Sequence, residues 1–193
     1  MEEGAKQEED MKHSIIRIVL TVFLIALGGC SSKRTVIVHD DRDQCSECAM
    51  REPVLSDVSY GVIRFGDRLA RAEQRLNEKA TPGIGEYTCG YVTFRQYPGV
   101  EFMVEKGIVT RADIADASIP NILSVRIGTK LSKVKRRYPD VLIKRHQYEP
   151  DGHYLIFKSA DQKKAIVLEE TAGKITAIRA GLEPSVEYAE GCF

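Results

Sequence analysis

Apolar residues recur with a helical period in two stretches of the chain, and the two stretches match each other. They are VIRFGDRLARAEQRL, residues 62–76, and SVRIGTKLSKVKRRY, residues 124–138. In each, a glycine, Gly66 or Gly128, precedes apolar residues at positions i, i+3 and i+7, which is the spacing of an amphipathic helix. The pattern therefore predicts a short helix that occurs twice, with its two copies 62 positions apart.

Residues that favour β-strands follow each predicted helix. Turn residues separate β-branched and aromatic runs, and loops this short join neighbouring antiparallel strands. We expect Asp67 and Thr129 to cap the two helices with side-chain oxygens, and we assign Gly83 and Gly85 to a loop. The predicted strands cover residues 87–95, 100–105, 108–114, 141–148, 153–158, 165–169 and 174–181.

These elements predict an α+β fold in which two tandem repeats, each a helix followed by an antiparallel sheet, form one domain. We assign residues 59–120 to the first repeat and residues 121–193 to the second repeat with a C-terminal tail. A glycine, a capping residue and the spacing Leu-x-x-Ala/Val-x-x-x-Leu/Tyr make each repeat similar to the unit of beta-lactamase inhibitory protein and of small SmpA/OmlA-type outer-membrane lipoproteins. In the inhibitory protein two such units form a concave sheet that binds another protein, so the resemblance implies a protein partner.

An apolar run near the N-terminus has the organisation of a secretory signal. Its uncharged part covers only residues 18–29, which is shorter than the roughly 20 residues of a membrane-spanning helix. Basic residues precede the run and small residues close it, as in a signal peptide. We therefore interpret residues 1–29 as a signal peptide. Its true start is predicted at Met11, because the acidic MEEGAKQEED that precedes this residue is unlike a positively charged n-region.

The end of this run, LGGC at residues 27–30, matches the lipobox, and the chain resembles a bacterial lipoprotein precursor on these residues. The resemblance implies that Cys30 carries acyl chains such as palmitate and that they anchor the protein to a membrane. Ser31 follows the cysteine, which in a Gram-negative cell implies an outer-membrane location, facing the periplasm or the cell surface. The polar and acidic residues 30–58 are then a lipidated tether. The alternative is an ordinary signal peptide that a cysteine happens to follow.

Four further cysteines, Cys45, Cys48, Cys89 and Cys192, remain in the exported chain. An even number predicts two disulfides, because compartments outside the cytoplasm oxidise thiols. Three pairings are open, and we favour Cys45 with Cys48 and Cys89 with Cys192. A redox role for the close pair requires a helix start that the polar residues around it do not indicate, and a zinc site requires two more ligands.

The charge balance argues against nucleic acid as a partner. Lys and Arg number 28 and Asp and Glu also 28, whereas binding to phosphates requires a concentrated basic excess. A local excess occurs between residues 126 and 145, where Lys130, Lys133, Arg137 and Lys144 are candidates for a patch that binds anionic headgroups, polysaccharide or an acidic protein. The alternative is a solvated helix face.

The sequence has no motif of a catalytic triad, a phosphate-binding loop or a metalloprotease. We expect His146 and His153 on the surface of a hairpin, and Glu169 and Glu170 on the solvated side of a strand. No catalytic residue, metal site or cofactor is therefore predicted. The sequence favours a non-catalytic protein-binding module of the cell envelope, as an inhibitor or an assembly accessory. The alternative is an envelope enzyme or carrier that acts on an anionic cell-wall or lipid ligand through the basic patch.

Overall fold

The computed structural model describes residues 52–86 and 88–192. The chain divides into two units, Met1–Cys48 and Ala49–Phe193, and the described residues belong to the second unit. None of the described helices is long and apolar enough to cross a membrane. The predictions that fall outside the described residues are the signal peptide, residues 30–51 of the tether, and the sites Cys30, Cys45 and Cys48.

The described part is an α+β fold with two helices and an eight-stranded antiparallel sheet. The strand order in the sheet is β3-β4-β5-β6-β10-β9-β8-β7, so that β6 and β10 join two groups of four strands. The elements are β1 (Ser59–Tyr60), β2 (Ile63–Arg64), α1 (Leu69–Leu76), β3 (Thr81–Glu86), β4 (Cys89–Thr93), β5 (Val100–Glu105), β6 (Ile108–Ile114), α2 (Leu131–Arg137), β7 (Leu142–Arg145), β8 (His153–Lys158), β9 (Lys164–Thr171) and β10 (Lys174–Leu182). A 3-10 helix, Ser185–Glu187, follows β10.

Every predicted strand is confirmed as an element, but the assignment of Gly83 and Gly85 to a loop is wrong. Both lie in β3, which forms one edge of the sheet and pairs only with β4 among the described strands. The register of this pairing shifts between Pro82 and Gly85. An edge strand tolerates proline and glycine because its outer side needs no ladder hydrogen bonds, and the composition therefore hides the strand.

The prediction that Asp67 and Thr129 cap the two helices with side-chain oxygens is also wrong. The N-cap residues are Arg68 and Lys130, and neither makes a side-chain capping bond. The carboxylate of Asp67 instead forms an ion pair with Arg75, and Thr129 Oγ1 accepts a main-chain N–H that precedes the helix.

Each helix starts on a hairpin turn of the sheet. The N–H of Leu69 donates to Gly107 O at 2.9 Å, and the N–H of Leu131 donates to Gly173 O at 2.9 Å. Both glycines have φ = 78°, in the left-handed region that favours glycine. The turn carbonyls therefore satisfy one of the orphan amides of each helix without a side-chain cap.

Both helices cover one face of the sheet, which we call the helix face. Its apolar cluster includes Phe102, Leu155, Leu168 and Ile178, all of them almost completely buried. Burial of a side chain of this size contributes about 1.5–3 kcal/mol to folding. This cluster is the main hydrophobic core.

The core reaches into the segment predicted as a tether, residues 30–58. Leu55 is 0% exposed. Its N–H donates to Pro120 O at 2.9 Å, and its own carbonyl accepts the N–H of Ile122 at 2.9 Å. The packed body therefore includes residues before position 58.

The C-terminal residues 183–192, which we call the strap, cross the opposite face of the sheet, the strap face. A disulfide between Cys89 and Cys192 ties the end of the strap to β4, and it confirms the predicted pairing of these two cysteines. Successive residues of β9 alternate between the two faces, as expected for a strand. A smaller apolar cluster lies under the strap and consists of Tyr154, Ile156, Ala165, Val167 and Val186.

Candidate functional site

Charged side chains gather on the strap face in the middle of the sheet. The alternation of β6 and β10 directs Arg111, Asp113 and Arg179 to this face, and Arg179 lies directly opposite Asp113 in the strand pairing. Both arginines are buried by the strap. A buried guanidinium requires hydrogen-bond acceptors for its donors, and the strap supplies several of them.

Arg111 binds the strap through its main chain. Its Nη1 donates to the carbonyl of Ser185 at 3.0 Å and to the carbonyl of Tyr188 at 2.8 Å. Nη2 donates to Tyr91 Oη at 2.6 Å, and Nε donates to Asp113 Oδ2 at 2.8 Å. The guanidinium of one side chain therefore joins β4, β6 and two residues of the strap.

The environment of Arg111 changes the titration of its two side-chain partners. Burial raises the pKa of Asp113, and the adjacent guanidinium of Arg111 opposes this effect. Burial also raises the pKa of Tyr91, so that its phenol stays neutral and accepts the Arg111 hydrogen bond.

Arg179 makes a second group of contacts with the strap. Its Nε donates to the carbonyl of Val186 at 2.8 Å, and its Nη1 donates to Glu169 Oε2 at 3.0 Å. The guanidinium lies over the ring of Tyr154 with 5.2 Å between Cζ and the ring centroid. These contacts bury the arginine among a carboxylate, an aromatic face and a main-chain carbonyl.

His146 packs into the same group, and its prediction as a surface residue is wrong. Its side chain is only 6% exposed, and its ring stacks on Tyr154 with 4.6 Å between centroids. Its Nε2 lies 3.0 Å from Glu169 Oε1. Contacts with Tyr154 of β8 and Glu169 of β9 therefore bury this ring.

The prediction that Glu169 and Glu170 lie on the solvated side of a strand is also wrong. Glu170 is 1% exposed. Its Oε2 lies 2.7 Å from His153 Nδ1, and its Oε1 accepts the N–H of Gly173 at 2.6 Å. Glu170 therefore holds the β9–β10 turn on which α2 starts, while Glu169 holds Arg179.

Glu187, in the middle of the strap, anchors it to β7 and β8. Its carboxylate pairs with Lys144 and, at 2.9 Å, with Lys158, which also pairs with Glu183 at 3.0 Å. Burial works against the charge of Glu187, but the hydrogen bonds from the two lysines outweigh it and lower the pKa to about 2.

The structure divides the four predicted patch residues between two elements. Lys130, Lys133 and Arg137 lie on or next to α2 and are exposed, with the Arg137 guanidinium over the ring of Tyr138 at 5.5 Å. Lys144 lies on β7 and pairs with Glu187 of the strap. The structure thus assigns Lys144 to the strap contacts, and the helix carries the remaining cations.

A groove of about 550 Å³ opens where the chain passes from α2 into β7. The groove is lined by Arg137, Tyr138, Pro139, Asp140, Val141, Leu142, Ile156, Phe157, Lys158 and Gln162.

Among the described residues, no group of three or more His, Cys, Asp or Glu side chains is placed to hold a metal ion.

The two arginines and Glu187 carry no motif in the sequence. One signal points to their site, namely the predicted pairing of Cys89 with Cys192. Because this disulfide brings the C-terminus to β4, alternate residues of β6 and β10 on that face become candidates for burial. The chemistry of the site is hydrogen bonding from fixed guanidinium groups to main-chain carbonyls.

Comparisons with known proteins give no family. No protein-family model matches the chain, and no curated protein matches it. Three solved structures resemble it with TM-scores below 0.5, which carry no argument about function.

The first of these structures is an extracellular protein containing a SCP domain from Bacillus anthracis str. Ames, at 13% identity and a TM-score of 0.40. The match covers 62% of this chain, and the chain spans only 44% of that protein. The DUF4309 family protein YjgB from Bacillus subtilis subsp. subtilis str. 168 matches at 9% identity with a TM-score of 0.44. This match covers 73% of this chain and 95% of that protein. The uncharacterized protein yfeY from Escherichia coli matches at 14% identity with a TM-score of 0.39. This match covers 67% of this chain and 97% of that protein.

Proposed function

We propose that this protein is a lipid-anchored, non-catalytic module of the cell envelope that binds a protein partner. The observation that carries the proposal is the contact of Arg111 and Arg179 with three main-chain carbonyls of the strap. Such contacts hold a polypeptide by its backbone and depend little on its side chains. The sheet thus already binds one polypeptide segment in this way.

The proposed architecture is a tandem repeat, with α1 and β3–β6 as one unit and α2 and β7–β10 as the other. Matching hydrogen bonds support it: Leu69 to Gly107 in one unit corresponds to Leu131 to Gly173 in the other. The order of the strands is also consistent with it, because β6 and β10, the last strand of each unit, meet at the centre of the sheet. The resemblance to beta-lactamase inhibitory protein and SmpA/OmlA-type lipoproteins then favours a protein as the ligand.

The proposed anchor is an acylated Cys30, with Ser31 directing the protein to the outer membrane. The Cys89–Cys192 disulfide supports export, because disulfides persist in oxidising compartments. Radioactive palmitate should label the wild-type chain in cells and leave Cys30→Ala unlabelled. A Ser31→Ala variant is the matched control and should be labelled like the wild type. Equal labelling of the Cys30→Ala variant would refute the anchor.

The binding function is tested with the full chain, purified in detergent from membranes and carrying a C-terminal affinity tag. We expect it to retain a specific envelope protein that the tag alone does not retain. Incubation with purified cell wall tests the competing function, in which the exposed cations of α2 bind an anionic ligand for an enzyme or carrier. Recovery of no protein partner together with product release from the cell wall would contradict the binding module.

A further inference from the structure

Strand β7 is an open edge of the sheet. It pairs only with β8 among the described strands, and all four of its residues are exposed. Leu142 is 47% and Ile143 is 36% exposed, and Lys144 and Arg145 follow them. Exposed apolar side chains on an unpaired edge favour pairing with another strand, whereas natural edges usually avoid them.

The main chain of β7 offers hydrogen bonds outward at two residues. His146 N–H donates to Gly152 O at 3.0 Å, just beyond the paired residues of β7 and β8. Because the direction of the main-chain groups alternates along an antiparallel strand, this bond turns those of Ile143 and Arg145 away from β8. The edge therefore presents two donors and two acceptors to a further strand.

The groove lies next to this edge. Leu142, the first residue of β7, pairs with Ile156 of β8. Strand β8 continues to Phe157 and Lys158, so these two residues have no partner in β7. The groove fills the resulting gap and has a volume of about 550 Å³, which is room for a large side chain. Apolar walls come from Tyr138, Val141, Leu142, Ile156 and Phe157.

The charge around the edge is positive. Among the described residues, Arg145 has no ion pair, and neither has Arg137 at the mouth of the groove. Lys135 and Arg136 precede Arg137 in the last turn of α2. Asp140 is the acid in the lining. A segment that adds to this edge is therefore favoured when it is acidic.

We propose that β7 is the docking site for an extended acidic segment of a protein partner. The segment pairs with β7 as a further strand and places an apolar side chain in the groove. The proposal rests on the binding function proposed above and names its site. The opposite edge, β3, is unsuited to this role because it contains Pro82 and has an irregular register.

The probe is a fluorescent synthetic peptide of about eight residues in which valine and glutamate alternate, long enough to cover an average strand. Its control has lysine in place of each glutamate. Fluorescence anisotropy with the full chain in detergent should show saturable binding of the glutamate peptide, at least about tenfold tighter than binding of the lysine peptide. Absence of binding, or equal binding of the two peptides, would overturn the proposal.

Two variants and a modified peptide separate docking from simple charge attraction. Arg145→Glu should weaken binding about tenfold, whereas Arg64→Glu, the same charge change at an exposed residue of β2, should leave it unchanged. Ile143→Pro removes an outward N–H at an edge position that tolerates proline, and it should abolish binding without loss of the far-UV circular dichroism. Alternate amides of the bound peptide point toward β7, and the remaining amides point away from it. N-methylation of the set that points toward β7 should abolish binding, and N-methylation of the other set should not. Retention of binding in both sets would exclude strand pairing.

Repeating the affinity capture with Ile143→Pro distinguishes failure of the site from failure of the function. A partner retained equally by the wild type and this variant would leave the binding function standing and overturn the β7 site. No partner with either chain would contradict the function itself. A third outcome is that anionic phosphatidylglycerol vesicles bind the wild type and Ile143→Pro equally, while neither chain binds the peptide. The ligand would then be a lipid surface and not an acidic segment, and this would overturn the proposal.

Discussion

The two faces of the sheet are buried by different means. On the helix face, α1 and α2 cover a large apolar cluster that includes Phe102, Leu168 and Ile178. On the strap face, ten residues of chain without β-strand cover two arginines and a small apolar cluster around Val186. The first face depends on area removed from water, and the second depends on individual hydrogen bonds and one disulfide.

This difference predicts how each face responds to change. Hydrophobic burial has no direction, so a damaged apolar core loses stability in proportion to the volume removed. A directed network instead leaves an unsatisfied buried group for every donor removed. We therefore expect the helix face to determine whether the domain folds, and the strap face to determine whether the strap stays in place.

The largest effect is expected from matched truncations on the two faces. Ile178→Ala on the helix face should lower the free energy of unfolding by about 4 kcal/mol, and Ile156→Ala on the strap face by about 2 kcal/mol. Both isoleucines are almost completely buried, but Ile178 belongs to the larger cluster, which relaxes less around a cavity. Urea unfolding measures both values, and equal losses would contradict the unequal roles of the two faces.

Removal of the disulfide is expected to have the next largest effect. The double variant Cys89→Ser and Cys192→Ser opens a loop with a sequence separation of 103 residues and should cost about 3 kcal/mol. Hydrogen exchange should rise in the strap and in the β-strands that it covers, while the amides of α1 and α2 keep their protection relative to global unfolding. The wild type in a reducing agent is the control and should behave like the double variant. Loss of protection in the helices first would reverse the comparison.

Much of the helix face could be predicted from the sequence, whereas the strap face could not. The period of Leu69, Ala72 and Leu76 and the β-branched runs after it indicate elements that bury one apolar face. The strap sequence, EPSVEYAEGC, has no such period, and its fold depends on partners far away in the chain. Arg111 and Arg179 carry no signal of their own, because their burial follows from where the strap lies. The Cys89–Cys192 pairing was the one clue to that position.

A third test concerns the donors on the strap face. Arg111→Lys keeps the positive charge but loses the planar fork that binds the carbonyls of Ser185 and Tyr188. It should cost about 2 kcal/mol, because at least one buried carbonyl loses its charged donor. The exposed Arg64→Lys is the matched control and should change the free energy of unfolding by less than about 0.5 kcal/mol. An equal, small effect at both positions would show that the strap does not need the fork.

The smallest effect is expected at Glu187, in the middle of the strap, and it depends on pH. The pKa of Glu187 is lowered from 4.5 to about 2 by Lys144 and Lys158, against the effect of burial. Its charge therefore stabilises the fold above pH 4.5, and this contribution is lost as the pH falls toward 2. Solvent screening keeps it at about 1 kcal/mol or less. Glu187→Gln should flatten this part of the acid unfolding profile, whereas Glu149→Gln, at an exposed carboxylate without an ion pair among the described residues, should retain the wild-type slope. An unchanged profile in Glu187→Gln would mean that its contacts with Lys144 and Lys158 do not hold the strap.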